Sequence, residues 1–166
     1  MRSGLWAMVF ALLPVLAAGQ GTEVPFGGLQ QDSSLPVEVT ADSLQVNQKD
    51  GTALFTGNVV VGQGEMRLSA DKMQVDYSAG AGDATGRISR IHATGNVVLV
   101  NGAEAAEGQE AVYTIDDSSI VMTGNVILTQ GQNALSGDRL VVDLTSGTGR
   151  MEGRVKTVFQ SGGSKK

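Results

Sequence analysis

The chain has 166 residues, with 12 basic against 17 acidic side chains and a net charge of −5, so it presents no electrostatic footprint for nucleic acid. It contains no cysteine and a single histidine, which excludes disulfides and cysteine nucleophiles and leaves the fold to packing and sheet hydrogen bonds. Its length fits one domain.

The chain opens with Arg2, an apolar run from Leu5 to Leu16 broken only by Pro14, and small residues at Ala17-Ala18-Gly19. That is the pattern of a secretory signal peptide over residues 1–19. The run is shorter than the ~20 residues that a membrane-spanning helix needs. Residues 20–36, with Gly27-Gly28, Ser33-Ser34 and two prolines, read as a flexible lead, and residues 161–166 as a loose tail.

From residue 37 to 160 the chain repeats itself. Phe55-Thr56-Gly57-Asn58-Val59-Val60-Val61 returns as Ala93-Thr94-Gly95-Asn96-Val97-Val98-Leu99, as Met122-Thr123-Gly124-Asn125-Val126-Ile127-Leu128 and, decayed, as Met151-Glu152-Gly153-Arg154-Val155-Lys156-Thr157. A second phrase, Ala70-Asp71-Lys72-Met73, Gly108-Gln109-Glu110-Ala111 and Gly137-Asp138-Arg139-Leu140, keeps a constant offset from each glycine, and Ala41-Asp42-Ser43-Leu44 begins the series. The unit is interrupted by one Gly/Ala-rich insertion near Ser78 to Arg87. Such self-similarity fixes the architecture as stacked units sharing one interior.

The apolar spacing is 2, which describes strands, and no stretch supports a helix of ordinary length. Phe55, Val59 and Val61 share a face with Ile91, Val97 and Leu99 and with Met122, Val126 and Leu128. The second phrases add Met73, Val75 and Tyr77, then Ala111 and Tyr113, then Leu140 and Val142. Val60, Val98 and Ile127 break the alternation. The recurring glycines read as corners. The interior residues are small or flexible, with Met66, Met73, Met122 and Met151 among them, and methionine suits surfaces that adapt to irregular apolar partners.

The chemistry-bearing residues carry no catalytic pattern. His92 stands one position off the Ile91/Ala93 face, with no nucleophile for it to activate. Asp42, Asp71 and Asp138 recur at what reads as one turn position, where a carboxylate satisfies backbone groups, and repetition in every unit is what a structural role predicts. Asp116-Asp117-Ser118-Ser119 and Gly62-Gln63-Gly64 read as hairpin turns. Neither a catalytic nor a metal site is expected, and no cofactor.

These phrases, in one register and behind a signal peptide, resemble the OstA-like domain of the LptA family of lipopolysaccharide transport proteins, over roughly residues 37–160. The resemblance implies an all-β, single-domain β-jellyroll in the periplasm, a folded and partly open stack of short antiparallel strands. Its apolar interior would receive lipopolysaccharide acyl chains along Phe55, Val59, Val61, Met73, Val75, Ile91, Val97, Leu99, Tyr113, Met122, Val126, Leu128, Leu140 and Val142. It also implies head-to-tail homo-oligomers, and pairing of edge strands with LptC-like inner-membrane and LptD-like outer-membrane proteins. The edges would be Val37 and Val39 at one end, and Val155, Thr157 and Phe159 at the other. Rival readings are a self-assembling β-solenoid with a closed core, an LptC-like component of the same pathway, and a polysaccharide-acting β-helix.

Overall fold

A computed structural model describes residues 22–25, 30–78 and 86–159. The signal segment 1–19, the tail 161–166 and residues 79–85 of the insertion lie outside them. The strands are β1 (Thr22–Pro25), β2 (Glu38–Thr40), β3 (Ser43–Asn47), β4 (Thr52–Gln63), β5 (Met66–Tyr77), β6 (Ile88–Asn101), β7 (Glu104–Thr114), β8 (Ser119–Gln130), β9 (Asn133–Asp143), β10 (Thr148–Glu152) and β11 (Lys156–Val158). They form one antiparallel sheet in the order β1-β10-β9-β8-β7-β6-β5-β4-β2, with β3 also on β4 and β11 also on β9.

Two strands can share one neighbour because β4 to β9 are each bent at the middle. Gly57 and Asn58 of β4 stand opposite Asp71 alone, and pairing resumes at Val59 with Ala70. Gly95-Asn96 stands likewise against Gln109, and Gly124-Asn125 against Asp138. Both members of each pair are left-handed, the glycines at φ of 81, 80 and 88° and the asparagines at 46, 47 and 49°. Glycine carries no Cβ penalty there, and asparagine is one of the few side chains that tolerate the region. The decayed copy, Gly153-Arg154, keeps the geometry at 76 and 44°.

These corners line up across the sheet and fold it into two wings. Wing A holds β3, the halves of β4, β6 and β8 before their glycines, the halves of β5, β7 and β9 after the second phrase, and then β10 and β1. Wing B holds β2, the complementary halves, and β11. Side chains facing inward from the two wings make one core, including Val59, Leu68, Met73, Ile91, Leu99, Met122, Leu128 and Leu140.

Two expectations are corrected. The aspartates are not turn residues; they are the single residues that oppose the left-handed pairs. Tyr77, grouped with Met73 and Val75 by spacing, is 37% exposed because the pairing with β6 slips between Asp76 and Tyr77. Of the lead, residues 22–25 pair with β10, and the Gln31 N–H donates to the Leu144 carbonyl at 3.0 Å. Backbone groups beside a sheet find partners on it, and the composition of the lead does not show which.

Candidate functional site

The interior is built from cross-strand rows. In wing A, Leu44, Phe55, Met73, Ala93, Ala111, Met122, Leu140 and Met151 are successive register partners, as are Val46, Ala53, Val75, Ile91, Tyr113, Ile120, Val142 and Gly149. In wing B the row runs Val39, Val61, Leu68, Leu99, Ala106, Leu128, Leu135 and Thr157. Of the interior residues singled out from sequence, thirteen are wholly buried, and Phe55 is partly buried against the core. The wing A rows stay covered until the first edge, where Leu44 is 54% and Val46 58% exposed, and the wing B row ends on the exposed Thr157.

Sequence reasoning missed part of this lining. β5, β7 and β9 pass the corner with a single residue, so their inward parity reverses there: Leu68 and Ala70 join Met66, already read as interior, in pointing in before Asp71, and Met73 and Val75 do so after it. Ala106 and Leu135 are buried for the same reason. The alternation of Met66-Arg67-Leu68-Ser69-Ala70 carried that signal.

The corner row is stitched by polar groups. Asn58 Nδ2 donates to Asp42 Oδ2 at 2.9 Å and Asn96 Nδ2 to Asp71 Oδ2 at 2.8 Å, while Arg154 stands 3.6 Å from Asp138. The histidine is on the outer face, its Nε2 2.6 Å from Glu110 Oε1.

Opposite the corner row the wing tips meet, and there the interior turns polar. Gln63, Asn101 and Glu104 are buried along the rim of wing B, and Gln130 Nε2 donates to Glu104 Oε1 at 2.6 Å. Tyr113 reaches from wing A to donate its hydroxyl to Gln63 Oε1 at 2.8 Å, and loss of solvent pushes its pKa up from 10.0 to about 12. Among the described residues, Asn101 Nδ2 and Glu104 Oε2 find no partner and are buried.

Residues 30–36 lie across this seam as a strap. Gln31 binds Leu144 through its backbone and the Gln63 carbonyl through Nε2 at 2.8 Å; Gln63 Nε2 donates back to the Ser33 and Leu35 carbonyls at 3.0 and 2.9 Å. Ser33 and Ser118 hydroxyls are 2.8 Å apart. Two clefts flank the strap. One of about 580 Å³ is lined by Leu35, Val37, Ile88 and Ile115, with the Arg87–Asp116 ion pair at its rim. The other, of about 420 Å³, includes Leu35, Val60 and Arg67. Of the remaining basic residues in the repeats, Arg90 and Arg139 are paired with Asp76 and Glu152 on the outside.

A long antiparallel sheet folded along a glycine row around an apolar interior defines the class of LptA-like β-jellyrolls. A profile of the family described as LptA/(LptD N-terminal domain) LPS transport protein matches residues 38–148, and the chain belongs to that family. It is 34% identical over 115 residues to an uncharacterized protein of Rhizobium meliloti, covering 68% of this chain and 62% of that one. Over 65 residues it is 38% identical to the LPS-assembly protein LptD of Yersinia enterocolitica, covering 39% of this chain and 8% of that protein. Among solved structures it is similar to LptH of Pseudomonas aeruginosa, the LptA-homologous periplasmic component of the lipopolysaccharide transport device. That match has a TM-score of 0.69 at 19% identity, over 79% of this chain and 99% of that one. Among the described residues no helix is long and apolar enough to cross a membrane.

Proposed function

We propose that the protein is a non-enzymatic periplasmic carrier of lipopolysaccharide, exported by cleavage near Gly19, whose acyl chains lie between the two wings while the polar part stays outside. The observation that carries this reading is the set of apolar rows running without interruption across β4 to β9 in both wings, in a chain of a lipopolysaccharide-transport family. The physical need is large: at ~0.8 kcal/mol per methylene, one chain of a dozen carbons resists exposure to water by roughly 10 kcal/mol. Open edges at β2/β3 and β11 support assembly with further copies and with LptC-like and LptD-like domains into a bridge.

Loading has a natural site in the seam between the wing tips. Its rim is polar, two of its buried groups lack partners, and each such group costs about 1–3 kcal/mol, so hydration on opening offsets part of the lost contact. Arg67 and Arg87 border the two clefts, and a phosphate group meeting Arg87 would have to exchange with its Asp116 partner.

Photocrosslinkers at Val59, Val97, Leu99, Met122, Val126 and Leu140 should capture lipopolysaccharide, and those at the exposed Asn58, Asn96 and Asn125 much less. A second reading, a closed structural core, draws support from the complete burial of the same rows. It expects no capture at either set, and equal capture at both sets would discard the interior as the path.

A further inference from the structure

The repeats leave β10 at the outer edge of wing A, paired on one side with β9. Its other side is taken by the chain's own lead: β1 runs antiparallel to it, with Thr22 opposite Met151, Val24 opposite Gly149 and Pro25 opposite Thr148. The chain that follows is anchored close by. Gln30 Nε2 donates to the Thr145 carbonyl at 3.1 Å, and Gln31 N–H to Leu144, both in the turn between β9 and β10.

The two ends of wing A are therefore unlike. β3 is an open template, five uncharged residues without proline that show Leu44 and Val46 to solvent. β1 has the character of a strand that ends a sheet: it is four residues long, with a glutamate and a proline, which has no N–H to offer a further neighbour. Strand direction alternates from β3 to β10, so the strand that would continue the sheet beyond β10 is an antiparallel one. A β3 from a second copy has that direction, and it would carry the rows ending at Gly149 and Met151 on into Val46 and Leu44. β1 already runs that way in that place. One edge accepts one strand.

We infer that residues 22–25 are a cap acting in cis: they hold the position on β10 that β3 of a second copy must take, and so restrain edge-to-edge assembly until they are displaced. The inference rests on the reading of the edges as joining surfaces. Tethering favours the cap at low protein concentration, because a strand held by a short linker competes at an effective concentration of order mM. Assembly then requires either crowding of protomers or a partner strand that pairs better than four residues.

The test compares the exported chain with a variant lacking residues 20–29, which keeps the strap, and with Val24→Pro, which removes an N–H from the middle of β1. Sedimentation velocity over a concentration series reads self-association, hydrogen exchange reads the β10 amides, and circular dichroism verifies the fold. The deletion should tighten self-association, by a factor of one plus the ratio of the mM effective concentration to the cap's own dissociation constant, with Val24→Pro between it and the parent. A peptide of residues 20–29 added to the deletion variant should reverse the gain. Equal association of all three proteins, or weaker association after deletion, overturns the cap while leaving the joining edges in place. If parent and variants all stay monomeric at high concentration, the edge reading falls and the cap with it. Should the deletion variant fail to fold, proline placed in turn at Glu23 and Val24 decides, since neighbouring N–H groups of a strand point to opposite sides and one of the two faces β10.

Discussion

Each corner asks two things of one residue: a left-handed backbone and no side chain. At Gly95 the φ is 80° and an added Cβ would lie 2.6 Å from Asp71 Oδ2; at Gly102, in a hairpin turn, φ is 59° and nothing lies within 4 Å. Gly95→Ala should therefore destabilise by about 1–3 kcal/mol, and by more than Gly102→Ala, as read from denaturant midpoints. Asn96→Gly should cost less than Asn96→Val, since only the valine resists φ of 47°. Tyr113 makes a different demand. Its pKa is raised by burial from 10.0 to about 12, so the folded state holds the proton more tightly than the unfolded chain. Stability from this group is intact below pH 10 and lost between about pH 10 and 12, by at most ~3 kcal/mol. Tyr113→Phe should flatten that segment of the stability–pH curve, at the expense of leaving Gln63 Oε1 without its donor. An unchanged slope would mean that Tyr113 does not titrate in this window.

At the scale of strands, a bend replaces what would otherwise be a turn. A strand that crosses the corner with two residues keeps its inward parity, and one that crosses with a single residue reverses it. Period-2 spacing and the repeated glycines were legible in the sequence, and so were the strands, the corners and the faces that begin after each corner. The reversal was not, because it depends on which residues oppose each other across strands, and a single sequence does not display pairing. Hence spacing identifies Met73 and Val75 but not Leu68 and Ala106, and Asp71 reads as a turn. The polar rim escaped for a related reason: Gln63, Asn101 and Glu104 continue the inward alternation but break its apolar pattern. Both faces of the corner carry consequences for packing. Val97 is wholly buried just past the bend of β6, so Val97→Asp should cost several kcal/mol, a carboxylate having no partner there. The outward-facing neighbour Val98→Asp should change the thermal midpoint little. Similar losses at the two positions would contradict the assigned facing.

Over the whole molecule, the wings are joined permanently along one line and provisionally along another. The corner row is continuous backbone, whereas the seam is held by the Tyr113–Gln63 hydrogen bond and by the strap. An unloaded apolar interior is expected to close, since each Å² kept from water is worth about 25 cal/mol, and a carrier must reopen without unfolding. Opening along the seam needs only the strap to lift and the tips to part, because every strand pairing lies within a wing. The chain has no cysteine, so the seam can be locked on a clean background. Ser33 and Ser118 hydroxyls are 2.8 Å apart, within the reach that a disulfide needs once both are replaced. Ser33→Cys with Ser118→Cys, oxidised, should fold as the parent does yet take up lipopolysaccharide far more slowly, and reduction should restore uptake. Each single variant should load normally in either redox state. Uptake by the oxidised double variant at the parent's rate would mean that acyl chains enter elsewhere, as at the exposed first edge formed by Leu44 and Val46.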